Sequence, residues 1–314
     1  MASRGIPLDT AAIFSTAMEG ILYGFSVLMF VGTMWALTYK RRMKDISRPN
    51  VVVACMLLIL STAHMIVDII RVEQGLVTYR NTFPGGPVAF FADVTQITFM
   101  VKNTIYTLQT MLGDAMVIYR CYVVWRSVWV IIVPSLLWLG IIVCGSGAVY
   151  SLSQATTDAE NIFAQSTGQW IKAFYSMTLA SNSLASGFLA YRMWRMECNI
   201  SANRVTKNSM MPIVRVLADA AILYSVTLLS GLVCFVEDNN GQYVILDMTM
   251  PIISIAFYMV IIRMAMKTAS HSYLSAVRVD KERGTPQQYH MKCVPVEVHI
   301  SRITHQDNDS TSSY

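Results

Sequence analysis

Seven long apolar segments limit the folds open to this chain more than any other feature of the sequence. They cover residues 13–39, 51–70, 97–124, 128–150, 170–194, 211–236 and 244–266. About 20 mostly apolar residues are enough for a helix to cross the hydrocarbon core of a bilayer. A helix also satisfies its own backbone hydrogen bonds, which the bilayer requires. We therefore predict an all-α polytopic membrane protein, a seven-transmembrane-helix bundle over residues 1–270.

The composition agrees with this class of protein. Of the 314 residues, 54% are hydrophobic and 14% are charged, whereas soluble domains contain about 25% charged residues. The first apolar segment lacks a basic leader and a small-residue cleavage site, so we expect it to remain as a span. The apolar pattern stops near residue 270, and residues 271–314 are predicted to form a mostly disordered cytosolic tail.

Lysine and arginine are distributed unequally between the two sides of the predicted bundle. Nineteen of the 24 fall in the first, third and fifth connections and in the tail. Cytosolic loops carry the excess of these residues. We therefore predict an outside N-terminus, a cytosolic C-terminus and a location in the plasma membrane. This topology explains the net charge of +5, so the expected partner is the lipid bilayer and no nucleic acid is expected.

The third segment is the most polar of the seven. Its polar residues form two neighbouring helical stripes, Asn103, Thr107, Thr110 and Asp114 in one, and Lys102, Tyr106, Gln109 and Gly113 in the other. A carboxylate at the centre of a span costs about 3 kcal/mol even on insertion scales. Both stripes must therefore face other helices or a water-filled cavity, which predicts a central position for this helix.

Seven polar residues are candidates for a ligand site: Asp68, Asn103, Tyr106, Thr107, Thr110, Asp114 and Asp247. Asp68 shares a helix face with His64 and Arg71 and could pair with either. That face is either a self-satisfied polar patch or a wall of an outer cavity. Asp114 lies near mid-membrane, where it either accepts hydrogen bonds from serines and threonines of neighbouring helices or contacts a ligand or an ion.

Arg120, at the predicted cytosolic end of the third helix, is a candidate signalling switch. Its nearest expected acidic partner is Asp219 on the sixth helix, and an ion pair between them could hold a closed state. In the alternative, Arg120 anchors its helix to lipid phosphates. Asp219 would then pair with Arg215, four residues earlier on its own helix.

Several kinds of chemistry find no support in the sequence. Retinal needs a lysine inside a late span, and the seventh segment has only Lys267 at its end. Seven-helix zinc hydrolases hold the metal with several histidines, but His64 is the only histidine in a predicted span. We find no Gly-rich nucleotide loop, nucleophile elbow or internal repeat. We therefore expect no enzymatic activity, no cofactor and no metal.

The sequence from Gly113 to Trp125, GDAMVIYRCYVVW, resembles the signature of a large family of seven-helix membrane proteins of mushroom-forming (basidiomycete) fungi. The resemblance covers about residues 15–270. It implies a topology similar to that of G-protein-coupled receptors, which also have an arginine at the cytosolic end of the third helix. Here that arginine follows Tyr119 instead of an acidic residue, and Pro251 and Tyr258 occur without an Asn-Pro-x-x-Tyr sequence. Coupling to a G protein is therefore left open.

We expect a receptor-like protein that binds a small molecule from the outer side and signals to a cytosolic partner. The alternatives are a small-solute transporter or channel that uses the polar third helix, and a membrane scaffold without a ligand. These functions differ in what the stripe from Asn103 to Asp114 faces. A receptor needs a cavity closed on the cytosolic side, a transporter needs a path through the membrane, and a scaffold needs a dry packed core.

Overall fold

The computed structural model describes residues 6–38, 48–153, 165–201 and 211–283. Within these ranges every regular element is a helix. The helices are α1 (Leu8–Thr38), α2 (Arg48–Glu73), α3 (Gly86–Ala92), α4 (Ile97–Trp125), α5 (Trp129–Ser153), α6 (Gln165–Ser201), α7 (Met211–Val236) and α8 (Gly241–Arg283). A π-helical turn, Gln74–Thr78, continues α2. The prediction of an all-α fold is confirmed.

Five helical stretches are long and apolar enough to cross a membrane: Leu8–Thr38, Arg48–Thr78, Trp129–Ser153, Arg215–Val236 and Gly241–Met266. They identify the chain as a membrane protein. Helices α4 and α6 are also long, at 29 and 37 residues, but they are more polar and do not belong to these five. The count of seven spans and the outside position of the N-terminus stay predictions.

Helix α1 shows how the bundle meets its surroundings. It buries Ser15, Glu19, Ser26 and Thr33. Its large apolar side chains point outward, and Leu28 and Trp35 are 69% and 62% exposed. A soluble protein would place these two kinds of residue the other way round. The pattern is typical of a helix that faces lipid on one side and polar partners on the other.

Helix α4 occupies the centre of the bundle. It packs against α2, α5 and α6. It also reaches α8, because the Gln109 amide donates a hydrogen bond to the Met250 carbonyl at 2.7 Å. Six of its polar or charged side chains are buried: Lys102, Tyr106, Gln109, Thr110, Asp114 and Arg120. The polar stripes therefore lie against neighbouring helices, as their cost in lipid requires.

Helix α8 extends beyond the end that the sequence predicted. The apolar pattern stops near Met266, but the helix continues to Arg283. The sequence has no glycine or proline between Met266 and Gly284, so no helix-breaking residue interrupts it. By its internal contacts the chain divides into two units, Met1–Ala269 and Ser270–Tyr314. The predicted disordered tail lies, from residue 284 onward, outside the described residues.

The corner between α2 and α4 closes one end of the bundle, where α1, α4 and α8 also begin. Gly75 lets the corner pack tightly, because a Cβ atom there would lie 2.5 Å from the Phe91 ring. In the loop before α4, Asp93 accepts hydrogen bonds from the Thr95 amide at 2.9 Å and from the Gln96 side chain at 2.7 Å. Partial burial works to raise the pKa of Asp93, but these bonds and the nearby Arg71 charge lower it below the usual value.

Candidate functional site

Five ionisable side chains from four helices meet inside the bundle. They are Glu19 of α1, His64 and Asp68 of α2, Lys102 of α4 and Asp247 of α8, and we call them the charged cluster. None is more than 7% exposed. His64 Nδ1 lies 2.7 Å from Glu19 Oε1. The Lys102 ammonium contacts Asp68 Oδ1 and lies 2.7 Å from Asp247 Oδ1.

The cluster forms where the polar faces of the four helices converge. Glu19 lies on the buried polar face of α1, between Ser15 and Ser26. His64 and Asp68 are four residues apart on α2 and so point to the same side of that helix. The helical periodicity of each segment thus brings charges that are distant in sequence into contact.

The ion-pair partner of Asp68 differs from the one that the sequence predicted. From the sequence, its expected ion-pair partner was His64 or Arg71, both on the same helix. The structure pairs it with Lys102 of α4 instead. Arg71 lines the same small cavity as Asp68 but donates from Nη2 to the Phe91 carbonyl at 3.2 Å, and its guanidinium lies 5.0 Å from the Phe99 ring centroid. The polar patch of α2 is therefore completed by a neighbouring helix.

The charged cluster has more acidic than basic groups. It holds three carboxyl groups and one ammonium, a net charge of −2 when all are ionised and His64 is neutral. Four of its buried atoms have neither a hydrogen-bond partner nor an ion pair among the described residues when the carboxyl groups are ionised: Glu19 Oε2, His64 Nε2, Asp68 Oδ2 and Asp247 Oδ2. Buried charge of this kind costs several kcal/mol per ion unless it is compensated. The excess negative charge of the cluster could therefore be balanced by a bound cation.

A small cavity, cavity B, lies beside the charged cluster. Its volume is about 30 Å³, and Asp68, Lys102 and Asp247 form part of its wall. Residues from the start of α1, including Leu8 and Ala12, form another part. A cavity needs roughly 10–15 Å³ to hold one water molecule. Cavity B therefore has room for water or a small ion but not for an organic ligand.

A larger cavity, cavity A, lies next to cavity B, and Phe99 and Tyr243 line both. It has a volume of about 80 Å³ and is bounded by α4, α5, α6, α7 and α8. Three predicted ligand residues, Asn103, Tyr106 and Thr107, line it together. Most of the remaining wall is apolar or aromatic, with Phe99, Ala148, Val149, Leu152, Phe174, Tyr175, Phe235, Tyr243 and Leu246 among its residues.

Thr110 and Asp114 lie deeper on α4 and do not line cavity A. Both are buried, and neither oxygen of the Asp114 carboxyl group has a hydrogen-bond partner in the described part of the chain. The expected hydrogen bonds from serines and threonines of neighbouring helices are therefore not formed. The predicted ligand residues separate into three places: Asp68 and Asp247 in the charged cluster, three residues at cavity A, and these two in the core.

A third cavity, cavity C, lies farther along α4. Its volume is about 60 Å³, and residues of α4, α6, α7 and α8 line it, among them Gly113, Arg120, Leu189, Tyr224 and Phe257. The Arg120 guanidinium is 4.4 Å from the centroid of the Phe257 ring. Its Nε and Nη2 atoms are buried, and no described residue accepts a hydrogen bond from them.

Arg120 forms neither of the interactions that the sequence suggested, an ion pair with Asp219 or an anchor in the lipid phosphates. Arg120 is 8% exposed and points between helices, so it does not extend into the lipid phosphate layer. Asp219 is exposed, because it lies on the outer side of α7 while Leu217 and Ala220 face inward. Among the described residues no ion pair joins Asp219 to Arg120 or to Arg215. The expected switch pair is therefore not formed in this structure.

Three residues of the charged cluster were not among the predicted site residues. Lys102 was placed on a stripe of α4 without a role, His64 was considered as a partner of Asp68 and as part of an incomplete zinc ligand set, and Glu19 was not considered. Glu19 is the only charged residue in the apolar segment 13–39. An ionisable residue inside a span marks a functional site by default, and this signal alone would have identified Glu19.

One group of described residues has the composition of a metal site. Glu19, His64 and Asp68 each offer a ligand atom, and the three atoms lie within 4.8 Å of one another.

Comparison of the chain with protein-family models, with curated proteins and with solved structures finds no match.

Proposed function

We propose that this chain is a receptor-like membrane protein that binds a small, mainly apolar molecule in cavity A and transmits binding to the opposite end of the bundle. One observation carries the proposal. Cavities A and C are bounded by the same four helices, α4, α6, α7 and α8, yet they share no lining residue within the described ranges. A ligand that changes the packing of these helices at cavity A would shift them at cavity C.

Packed residues separate the two cavities and support a closed floor for cavity A. The Gln109 amide bonds to the Met250 carbonyl at 2.7 Å and to the Ser254 hydroxyl at 3.1 Å. The Trp138 indole donates to the Met111 carbonyl at 3.0 Å. A solute that passed through the bundle would have to break this layer.

The walls of cavity A indicate the chemistry of the ligand. Aromatic side chains dominate, and the polar groups of Asn103 and Thr107 already donate to carbonyls of their own helix at 2.9 Å. Their oxygen atoms are left to accept hydrogen bonds. An apolar molecule with one hydroxyl or amine donor fits such a site, since ligand pockets combine apolar walls with a few placed polar groups.

The proposal includes the topology and the partner. We propose that α4 and α6 also cross the bilayer, which gives seven spans with the N-terminus outside, and that the plasma membrane is the location. The cytosolic partner would bind at the end of the bundle near cavity C, and a G protein is one candidate. Membership of the fungal seven-helix family rests on the sequence from Gly113 to Trp125 and is proposed on that basis.

A small-solute transporter is the second candidate. It is favoured by the same pair of cavities, because transporters that work by alternating access open toward each side of the membrane in turn around one set of helices. The two functions differ in the layer at Gln109. A transporter must open this layer in each cycle, whereas a receptor keeps it closed while its helices shift.

Photoaffinity labelling with a four-carbon alcohol that carries a diazirine tests the ligand site. In the purified full-length protein we expect label on the α4, α5 and α8 peptides that line cavity A. Ala148→Phe places a ring in the cavity and should reduce this labelling at least fivefold. Val143→Phe is the matched control, because Val143 is 61% exposed on the outer side of α5. Equal labelling of both variants would show that the alcohol binds the lipid-facing surface and would contradict the proposal.

A second measurement tests transmission to the other end. Asp219 is exposed on α7 and can be changed to cysteine and labelled with an environment-sensitive fluorophore, after the exposed Cys198 and also Cys293, which lies outside the described residues, are replaced by serine. Saturating alcohol should change the emission in the protein with Ala148 and leave it unchanged with Ala148→Phe. Labelling at cavity A without any change in emission would exclude a receptor of this kind.

A further inference from the structure

We propose that Glu19, His64 and Asp68 bind one divalent transition-metal ion of the zinc class, which joins α1 to α2 inside the bundle. The inference is separate from the proposed receptor function, because none of these residues lines cavity A. It rests on the position of the donor atoms, on the charge of the cluster and on the type of ligand.

The three side chains are positioned as a ligand set. Their donor atoms lie within 4.8 Å of one another, and the ligands of a tetrahedral zinc ion at about 2.1 Å are separated by about 3.4 Å. Side-chain rotations that move the donor atoms by about 1 Å would therefore bring the three ligands to the separation that zinc requires. Glu19 and His64 are fully buried, and His64 Nε2 has no hydrogen-bond partner in the described part of the chain. The carboxyl groups of Glu19 and Asp68 lie within hydrogen-bonding reach of one another, so two acidic groups meet inside the bundle. A buried polar atom without a partner is unusual and calls for an explanation.

The charge of the cluster favours a cation. With its three carboxyl groups ionised and Lys102 protonated, the cluster carries −2. Arg71 lines cavity B together with Asp68, Lys102 and Asp247, and its positive charge brings this group of residues to −1. A bound divalent ion would therefore offset negative charge that the protein's own cations do not balance.

The donor atoms select the class of metal. Magnesium and calcium prefer ligand sets made of oxygen atoms, whereas an imidazole nitrogen with carboxylates suits zinc and similar first-row ions. Here His64 supplies the nitrogen, and Glu19 and Asp68 supply the oxygen atoms. The histidine count that argued against zinc in the sequence left out Glu19, which comes from another helix and completes three protein ligands.

Lys102 and Asp247 would support the site from outside the ligand set. Lys102 holds Asp68 Oδ1 and is itself held by Asp247 of α8. Ligand carboxylates in metal sites are typically oriented by such hydrogen bonds. The ion would therefore connect α1 and α2 directly and α4 and α8 through Lys102. Of the three ligands only Asp68 lines cavity B, whose volume of about 30 Å³ leaves room for water on that side of the site.

The test is the metal content of the full-length protein, purified in detergent with an affinity tag that contains no histidine. After incubation with Zn²⁺ and removal of loosely bound metal, we expect about one zinc per chain. Glu19→Gln and His64→Leu should each reduce this to below a tenth. Zn²⁺ should also raise the unfolding temperature of the unmodified chain by several degrees, because a ligand that binds only the folded state stabilises it.

Two controls define the site. Glu73→Gln removes an exposed carboxyl group at the end of the same helix as His64 and should keep one zinc per chain. Replacement of the four remaining histidines, at 271, 290, 299 and 305, by alanine should also keep it. If the unmodified chain binds no zinc and Zn²⁺ leaves its unfolding temperature unchanged, the proposal is overturned, whether or not the variants fold. Zinc that remains in both Glu19→Gln and His64→Leu lies elsewhere and overturns it too.

Discussion

At one end of α4, Lys102 contacts carboxyl groups from α2 and α8, whereas toward the other end Arg120 has no acidic partner among the described residues. Both side chains are at least nine-tenths buried. The charge of Lys102 is matched by oppositely charged groups on other helices, but the charge of Arg120 meets only the face of the Phe257 ring. The first arrangement fixes helices to one another. The second leaves polar atoms in a cavity, where a change in helix packing could give them a partner.

The largest change in stability is expected at Lys102. Lys102→Ala leaves Asp68 and Asp247 buried without their cation, and loss of one partner of a buried pair typically costs about 3–5 kcal/mol. We expect a loss of this size in the free energy of unfolding, measured by denaturant titration in detergent. Lys172→Ala, at an exposed position of α6, should change the stability by less than about 0.5 kcal/mol. Similar losses in both variants would mean that the charged cluster does not stabilise the bundle.

The opposite result is expected at Arg120. Arg120→Met removes a buried charge with two unpartnered nitrogens and keeps most of the apolar volume. Replacement of buried charges by apolar groups is often neutral or stabilising by about 1–4 kcal/mol. The lost interaction with Phe257 offsets part of this gain, so we expect an unfolding free energy that is unchanged or higher by about 2 kcal/mol. A loss above about 2 kcal/mol would show that Arg120 has a stabilising partner.

Asp114 belongs with Arg120 in this comparison, because its carboxyl group is buried without a hydrogen-bond partner in the described residues. Asp114→Asn keeps the shape and removes the ionisable group. We expect it to raise the unfolding free energy by about 1 kcal/mol, since burial of a carboxyl group costs free energy whether it stays ionised or takes up a proton, whereas the amide has only the smaller cost of a neutral polar group. Asp68→Asn is the matched substitution in the charged cluster and should lower the stability. The same sign of change in both variants would remove the distinction between the two regions.

The sequence predicted the parts of the molecule that depend on periodicity within one segment. The polar stripes of α4 follow from a 3.6-residue repeat, and Asn103, Tyr106 and Thr107 do line one cavity. Contacts between segments were not predictable in the same way. Glu19 and His64 are 45 positions apart, and their contact depends on the rotation of α1 against α2. The buried polar face of α1, with Ser15, Glu19 and Ser26, shows which side turns away from lipid, but it does not specify which neighbouring helix that side meets.

The difficulty of predicting contacts between helices also explains why the expected ion pair between Arg120 and Asp219 is not formed. The sequence placed Arg120 and Asp219 at similar depths, and depth follows from position along a helix. It did not show which side of α7 faces the bundle. The buried residues Leu217, Ala220 and Tyr224 define that side, and Asp219 points away from it. An ion pair predicted from depth alone therefore fails when one partner is on the lipid-facing side.

The smallest expected effect is the coupling between Arg120 and Asp219, and it separates this structure from the switch that the sequence suggested. A double-mutant cycle of Arg120→Ala and Asp219→Ala measures the interaction free energy directly. Because no ion pair joins these residues here, the two changes in unfolding free energy should add, with a coupling below about 0.3–0.5 kcal/mol. The cycle of Lys102→Ala and Asp247→Ala is the reference, and it should show a coupling of about 1 kcal/mol or more because the two charged atoms lie 2.7 Å apart. If the Arg120 cycle showed coupling as large as the reference, Arg120 would have an acidic partner after all. The contrast between the two ends of α4 would then be lost.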